Sequence, residues 1–344
     1  MPDTPNPPLP VTPPPVTPPP VTPPRLPVTP TPTPIASPHI GVLGVGRMGL
    51  PIARHIADAG FAVTVFDIDP ARRALATSHG VTVAADARVI ASGADVLITV
   101  LPGPPELRDA MLGTDGVLPS LRSGTLWLDL TSNDPRVAAE VAAVAYAQGV
   151  SVAGAPMGGG VSNAEAATLR FYVGADADAL VRVEPILAAL SGASGIDHVG
   201  TDITAGYTAK LLANLLWFGQ AAAVTEALLL GKSLGLSPTA LRATLSASAG
   251  GSVFISEHLD SLLAGDYLEE FGIDRVVEEL DTLGALAAAQ GTPFQTSESV
   301  VQLHQDALAR FGSVGGELLG AKLLEERAGT TLRRTDGTAR SINE

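Results

Sequence analysis

Lys210 and Asn214 stand four residues apart in the segment Gly206-Tyr207-Thr208-Ala209-Lys210-Leu211-Leu212-Ala213-Asn214, which is otherwise largely apolar. At that spacing two side chains share one face of a helix, about one turn apart. Lysine is scarce in this chain: of 21 basic residues only Lys210, Lys232 and Lys322 are lysines. An ordinary helix-end lysine would run its stem along the surface and leave its amine in water, but the neighbours LLANLLWFG read as buried on every side. Burial favours the neutral amine of a lysine, which suits it to exchanging a proton with an alcohol or carbonyl oxygen. Lys210 is therefore the candidate general acid/base, with Asn214 placed to hold either that oxygen or the amine.

Two glycine-rich turns could supply the binding chemistry. Gly44-Val45-Gly46-Arg47-Met48-Gly49 follows the apolar run IGVL and opens a helical stretch; a second run, FAVTVFD, ends in Asp67, 18 residues past the last glycine. In this context G-x-G-x-x-G is a dinucleotide signature: one glycine makes the turn, one admits the pyrophosphate, one lets helix and strand pack, and the helix N-terminus favours the phosphates. Asp67 would accept hydrogen bonds from the ribose hydroxyls and would repel a 2′-phosphate, which favours NAD over NADP; Arg72 and Arg73 nearby keep NADP open. The second turn, Ala155-Pro156-Met157-Gly158-Gly159-Gly160-Val161, exposes backbone N–H groups in the manner of small-anion sites. Leu101-Pro102 and Thr131 follow two further apolar runs, at the strand ends where ligands of open α/β sheets sit.

These groups need a scaffold. IGVLGV, AVTVFD, ADVLITVLP, GTLWLDL, VSVAGAP and RFYVGA read as strands, with helices over about 48–59, 105–112, 136–148 and 177–190 between them. Such alternation predicts a Rossmann-type doubly wound α/β domain, assigned to 39–200. After Thr201 the strand signal stops. A long apolar helix over about 205–234 and further helices at 238–247, 253–264, 271–290, 297–310 and 316–327 predict an all-α C-terminal domain over 201–328, with 329–344 as a frayed tail. Ahead of both, 18 of the 29 prolines fall in the first 38 residues, with one acid, Asp3, and one base, Arg25. The repeat VTPPPVTPPPVTPP can form neither helix nor ladder, so 1–38 is expected to be a disordered, polyproline-II-prone tail, solvated or docking to an aromatic groove.

Composition excludes several classes. A formal charge of −14 without a basic cluster argues against a nucleic-acid partner. No cysteine is present, which removes disulfides, thiolate metal sites and cysteine nucleophiles. Leu211–Thr225, broken by Asn214 and Gln220, is expected to be too short and too polar to span a membrane, and the N-terminus lacks a secretory pattern. We expect a cytoplasmic protein with a small-molecule substrate.

Taken in order from residue 39 to about 328, these segments resemble the β-hydroxyacid dehydrogenase family, which includes 3-hydroxyisobutyrate dehydrogenase and is related to 6-phosphogluconate dehydrogenase. IGVLGVGRMGLPIARHIADAGFAVTVFD is similar to its cofactor signature, which implies Gly44, Gly46, Arg47, Met48, Gly49 and Asp67 at the dinucleotide. LPGPPE and DLTSNDP resemble its next two cofactor-side loops, implying Leu101, Pro102 and Thr131. GAPMGGGVSNAEAATLRFYVGA resembles its substrate segment D-A-P-V-S-G-G, implying Gly158, Gly159 and Gly160 together with Thr131, and GYTAKLLANLL resembles the stretch that carries its catalytic lysine and asparagine. Two departures stand out. Gly158 replaces the family's serine, and Glu278-Glu279 stands where FGIDRVVEELDTL resembles a segment with a Lys-Asp pair, so that Glu278 reverses a charge at or near the pocket. A small β-hydroxycarboxylate should then bind less well, by about 1–3 kcal/mol for each missing partner.

The resemblance implies an NAD(P)-dependent oxidoreductase acting on a CH–OH group. An imine or amine reductase of the same architecture is the alternative, which Glu278 would suit and Lys210 argues against. A cofactor-binding scaffold that recruits partners through the proline-rich tail is the alternative of another class. The apolar helix over 205–234 has more hydrophobic surface than a small helical domain covers alone, which predicts a homo-oligomer, dimer or tetramer.

Overall fold

The computed structural model describes residues 38–192 and 195–333. The proposed disordered tail lies outside these residues except for Pro38, as does the last segment from 334.

Strands β1 (His39–Leu43), β4 (Val96–Thr99) and β5 (Leu126–Asp129) are nearly all apolar and buried, as central parallel strands must be when helices cover both faces. Around them β2 (Ala62–Phe66), β3 (Thr82–Val83) and β6 (Ser151–Gly154) complete the parallel order β3-β2-β1-β4-β5-β6. The strand order reverses between β1 and β4, and a ligand crevice opens at such a switch point. Side chains alternate between two cores: Val96, Ile98, Leu126 and Leu128 pack on one face, Leu97 and Trp127 on the other. Helices α1 (Gly49–Asp58), α2 (Pro70–Ser78), α3 (Ala87–Gly93), α4 (Pro104–Leu112) and α5 (Pro135–Ala147) connect the strands. Aspartates Asp69, Asp86 and Asp134 cap three of them by accepting from N–H groups of the first turn.

The sheet continues past the parallel part. β8 (Arg170–Ala175) runs antiparallel to β6 and to β7 (Met157–Gly158), and parallel to β9 (Ile196–Gly200). Between these strands lie α6 (Val161–Glu165) and α7 (Ala177–Ser191). From Ile203 the chain is helical: α8 (Ile203–Ser233), α9 (Pro238–Ser246), a π-helical turn Phe254–His258 leading into α10 (Leu259–Ala264), α11 (Ile273–Gln290), α12 (Gln295–Phe311) and α13 (Leu319–Arg327). The described residues from Pro38 onward form one compact unit. The reason is α8, which packs on β6, β8 and β9 with its first turns and against α11, α12 and α13 further along, while Ile203 and Tyr207 enter the second sheet core.

Two expectations need correction. Residues 329–333 do not fray: Leu332 is fully buried with its N–H donated to Glu325, and Lys232 donates to Thr330 and Thr331. And α8, at 31 residues, is by length and composition long and apolar enough to cross a membrane. The apolar stretch Leu211–Thr225 is only its middle, and Ile203, Tyr207, Leu228, Leu229 and Leu230 carry apolar character towards both ends of the helix. Here it is a packing helix with a buried charge, Lys210, on one face.

Candidate active site

The turn after β1 is shaped by its glycines. Gly44 has φ +92°, and a Cβ there would lie 2.2 Å from the carbonyl oxygen of Val100, at the end of β4. A Cβ on Gly49 would lie 2.0 Å from the Gly44 oxygen. A Cβ on Gly46 would meet no protein atom within 4 Å, so its surroundings are open to a ligand. The N-cap of α1, Met48, makes no side-chain cap, which leaves the amide end of that helix for an anion. Asp67 accepts from the N–H of Val45 at 2.8 Å and of Asp69 at 2.9 Å, so it braces the turn from the tip of β2. Arg73 donates to the carbonyls of Asp67 and Ile68 and lies over the Phe66 ring, whereas Arg72 sits 4.0 Å from Asp69. Arg47 donates to the Glu270 carbonyl, across to the helical part. This cradle fits a dinucleotide.

A buried hub joins the two halves. Asp129, at the end of β5, accepts from the Thr99 hydroxyl at 2.7 Å, the Tyr207 hydroxyl at 2.7 Å, the Thr131 N–H at 3.1 Å and the Asn133 amide at 3.4 Å. Burial pushes the carboxyl up, and the hydrogen bonds from Thr131, Thr99 and Tyr207 hold it back. Burial also pushes the Tyr207 phenol well above its ordinary value, with Asp129 adding to the effect, so it stays a donor. Thr131 itself is buried, and its hydroxyl accepts from the Leu101 N–H at 3.1 Å. It ties together the loops after β4 and β5, while Ser132 and Asn133 line the cleft between those loops and α11. The need to satisfy Asp129 turns Thr131 inward.

Lys210 lies one turn beyond Tyr207 on α8 and is 6% exposed. Its Nζ donates to Glu279 Oε1 at 2.8 Å, and Asn214 Nδ2 donates to Glu279 Oε2 at 2.5 Å. The Phe271 ring lies 5.9 Å from the amine and, with Pro102, Leu211, Arg275, Glu278 and Glu279, lines the same cleft. Sequence reasoning placed Lys210 and Asn214 together but missed Glu279. The available signal was helical phase: Glu279 falls in step with Val276 and Leu283 on the buried side of α11. Glu278, the expected charge reversal, stands on the cleft wall, paired with Arg275 at 2.7 Å. Arg275 also reaches Glu106 on α4 at 3.7 Å.

Further along α8, Trp217 Nε1 donates to Glu317 Oε2 at 3.2 Å. Lys210, Asn214 and Trp217 thus form a stripe of N–H donors, each given to a glutamate. Burial pushes Glu317 up to about 7; Glu279 and Glu270 push the same way, and Trp217 and Lys210 oppose it. The triple-glycine turn lies at the edge of this cluster. Gly158 is in β7 opposite Arg170, Gly159 has φ +100°, and a Cβ on Gly160 would come 2.9 Å from Glu270 Oε2. A Cβ on Gly158 would meet only ordinary contacts, so space does not exclude a serine there.

Residues 39–200 match a family model described as the NAD-binding domain of 6-phosphogluconate dehydrogenase. Residues 204–317 match one described as NAD-binding of NADP-dependent 3-hydroxyisobutyrate dehydrogenase. The chain is 31% identical over 282 residues to the 2-(hydroxymethyl)glutarate dehydrogenase of Eubacterium barkeri, covering 82% of this chain and 90% of that one. It is 36% identical over 213 residues to the 3-hydroxyisobutyrate dehydrogenase of Pseudomonas aeruginosa, covering 62% and 70%. Among solved structures, the 3-hydroxyisobutyrate dehydrogenase of Mycobacterium tuberculosis with L-serine is similar at TM-score 0.76 and 29% identity, covering 84% of this chain and 99% of that one.

Proposed function

The chain belongs to the β-hydroxyacid dehydrogenase family, and from that premise we propose that Lys210 exchanges the proton of the reacting oxygen in an NAD(P)-dependent oxidation or reduction at a CH–OH carbon of a small molecule. The buried Lys210–Glu279 pair, set against the cleft at the strand ends, is the observation that carries this assignment. A bound nicotinamide dinucleotide supplies the hydride acceptor or donor. The protein's own groups do the rest. The Asp129 hub fixes the start of α8 on the sheet, which sets where Lys210 stands relative to the loops holding Pro102 and Ser132. Glu279 aims the amine and balances its charge, so an ammonium can hand a proton to a carbonyl oxygen, or an amine take one from an alcohol, without an isolated charge in a buried site. Asn214 holds the far oxygen of Glu279 and acts on the amine through it. We assign the substrate a place against Ser132, which lines the cleft, and the Gly158–Gly160 turn.

The dinucleotide we assign is NAD. Asp67 would meet a 2′-phosphate with a carboxylate, and Arg73 is engaged with backbone carbonyls. We also assign a homo-oligomer: Leu212, Leu216 and Leu230 lie on one exposed stripe of α8, at 46, 65 and 62% exposure, apolar surface that a second copy would cover. A cytoplasmic location accords with this use of α8. The primary test is Lys210→Ala, expected to lower turnover by about 10²–10⁴-fold while dinucleotide binding, followed by fluorescence, stays unchanged. Retained turnover would remove Lys210 from its role.

A further inference from the structure

Lys210, Asn214 and Trp217 occupy positions i, i+4 and i+7 of α8, so the three N–H donors share one face of the helix. The first two grip the oxygens of Glu279, and Trp217 Nε1 donates to Glu317 Oε2 at 3.2 Å. Asn214 and Trp217 are three residues apart, which makes their side chains neighbours on the helix surface. The two carboxylates they hold therefore lie about one turn apart along that face, Glu279 delivered from α11 and Glu317 from the residues leading into α13. The Glu317 main chain is fixed as well, its N–H donated to the Leu268 carbonyl at 3.1 Å. Glu317 stands apart from the residues that line the cleft, so its effect on the reaction passes through Lys210.

The two carboxylates differ in kind. Glu279 is paired with the ammonium at 2.8 Å. Glu317 has, among the described residues, a neutral indole as its side-chain partner. The charged groups that act on it are Lys210 on α8, Glu279 on α11 and Glu270 ahead of α11. The other titratable groups nearby are engaged elsewhere. His258 of the π-helical turn packs edge-on to Trp217 with ring centroids 4.7 Å apart, the Tyr267 hydroxyl is given to Glu325, and the Lys322 amine lies over the Tyr267 and Phe311 rings. Burial, helped by Glu279 and Glu270, pushes the Glu317 carboxyl up to about 7, so it changes charge near neutrality.

We propose that Glu317 is a positioning residue for the proton on Lys210: as a carboxylate it is a second negative charge that helps keep the proton on the amine, and as a neutral carboxyl it leaves that task to Glu279. This rests on the assignment of Lys210 as the acid/base group. Alcohol oxidation needs the amine and carbonyl reduction the ammonium, so the charge that Glu317 gains above neutrality favours reduction. The coupling is reciprocal: whatever Glu317 does to the proton on Lys210, the charge on Lys210 does to the titration of Glu317.

The chain has two tryptophans, and Trp127 donates to the buried Thr99 hydroxyl, so the indole N–H signal of Trp217 in the nitrogen-15-labelled full chain reports the charge of Glu317. That signal should titrate with a midpoint at about 7 in the parent and not at all in Glu317→Gln. Lys210→Gln should raise the midpoint by about half a pH unit or more, and Lys210→Arg, which keeps the charge, should not. The kinetic arm uses 3-hydroxypropionate, a minimal β-hydroxycarboxylate, with NAD. Glu317→Gln should move the rise of kcat with pH about half a unit lower, a gain of about threefold on that limb, while Glu317→Asp keeps the parent profile. A midpoint that ignores the loss of Lys210, or a Glu317→Gln profile that superimposes on the parent, would overturn the proposal. Should 3-hydroxypropionate give no turnover, the magnetic-resonance comparison alone decides. Because that comparison needs no turnover, its failure is separable from a failure of the acid/base assignment, which rests on Lys210→Ala.

Discussion

Replacing Glu317 by glutamine should make the protein more stable at neutral and alkaline pH. The carboxyl is pushed from an ordinary 4.5 up to about 7 in the folded chain, so between those values the folded state holds a proton that the unfolded state has released. Stability relative to a neutral side chain is then complete below about 4.5, falls as pH rises towards 7, and stays low above it. At about 1.4 kcal/mol per pH unit, the interval is worth about 3 kcal/mol. Glutamine is uncharged throughout and keeps an oxygen for the Trp217 N–H, so it removes the charge while preserving the contact. Paired urea unfolding of the two proteins at half-unit steps from pH 4.5 to 8.5 isolates this effect, because every other titrating group cancels in the difference. We expect near equality at pH 4.5 and a gap opening to about 3 kcal/mol in favour of Glu317→Gln by pH 8. A gap that does not change with pH, or a variant less stable at pH 8, would refute the claim that burial and neighbouring acids burden this carboxylate.

Three further outcomes follow from the geometry. Gly46→Ala should leave urea stability within about 0.5 kcal/mol of the parent but weaken dinucleotide binding at least about tenfold, since its Cβ would meet no protein atom and would enter the space proposed for the pyrophosphate; Gly44→Ala should lose about 1–3 kcal/mol or more of stability from its φ of +92° and the contact with Val100. Unchanged dinucleotide affinity in Gly46→Ala would displace the cofactor from this turn. Leu216→Glu should shift the chain to monomers in sedimentation velocity at micromolar concentration, and an unaltered sedimentation coefficient would take α8 out of the interface.

What could be seen in the sequence was local. The buried parallel strands appear as unbroken apolar runs such as IGVL and VLIT, and α5, α7, α8 and α11 appear through length and periodicity. The glycine signature is local too, since its turn, strand and helix lie within 30 residues. The short strands β3, β7 and β9 escaped because none carries an apolar run: β3 and β7 are two residues long, and no residue of β9 is buried. The site divides in the same way. Lys210 and Asn214 share one helix, whereas Glu279 is 69 residues from Lys210 and Asp129 is 78 from Tyr207. No spacing rule links such pairs. Thr131 shows the converse: its place after β5 is legible along the chain, but its side chain is claimed by a buried network rather than by the cleft.

Glu279 also changes what Asn214 does. From spacing alone, the amide was free to touch either the reacting oxygen or the amine. In the structure its Nδ2 is given to Glu279 Oε2 while Lys210 holds Oε1, so the carboxylate is gripped at both oxygens by one face of α8. Losing one partner of a buried ion pair typically costs about 3–5 kcal/mol, and a carboxylate fixed at both ends leaves the amine little freedom to wander from the cleft. In the proposed mechanism Asn214 is thus a positioning residue that works through Glu279. The same arrangement explains why a lysine at this depth adds no free positive charge to the cleft. Its charge is already answered from α11, by Glu279 at 2.8 Å.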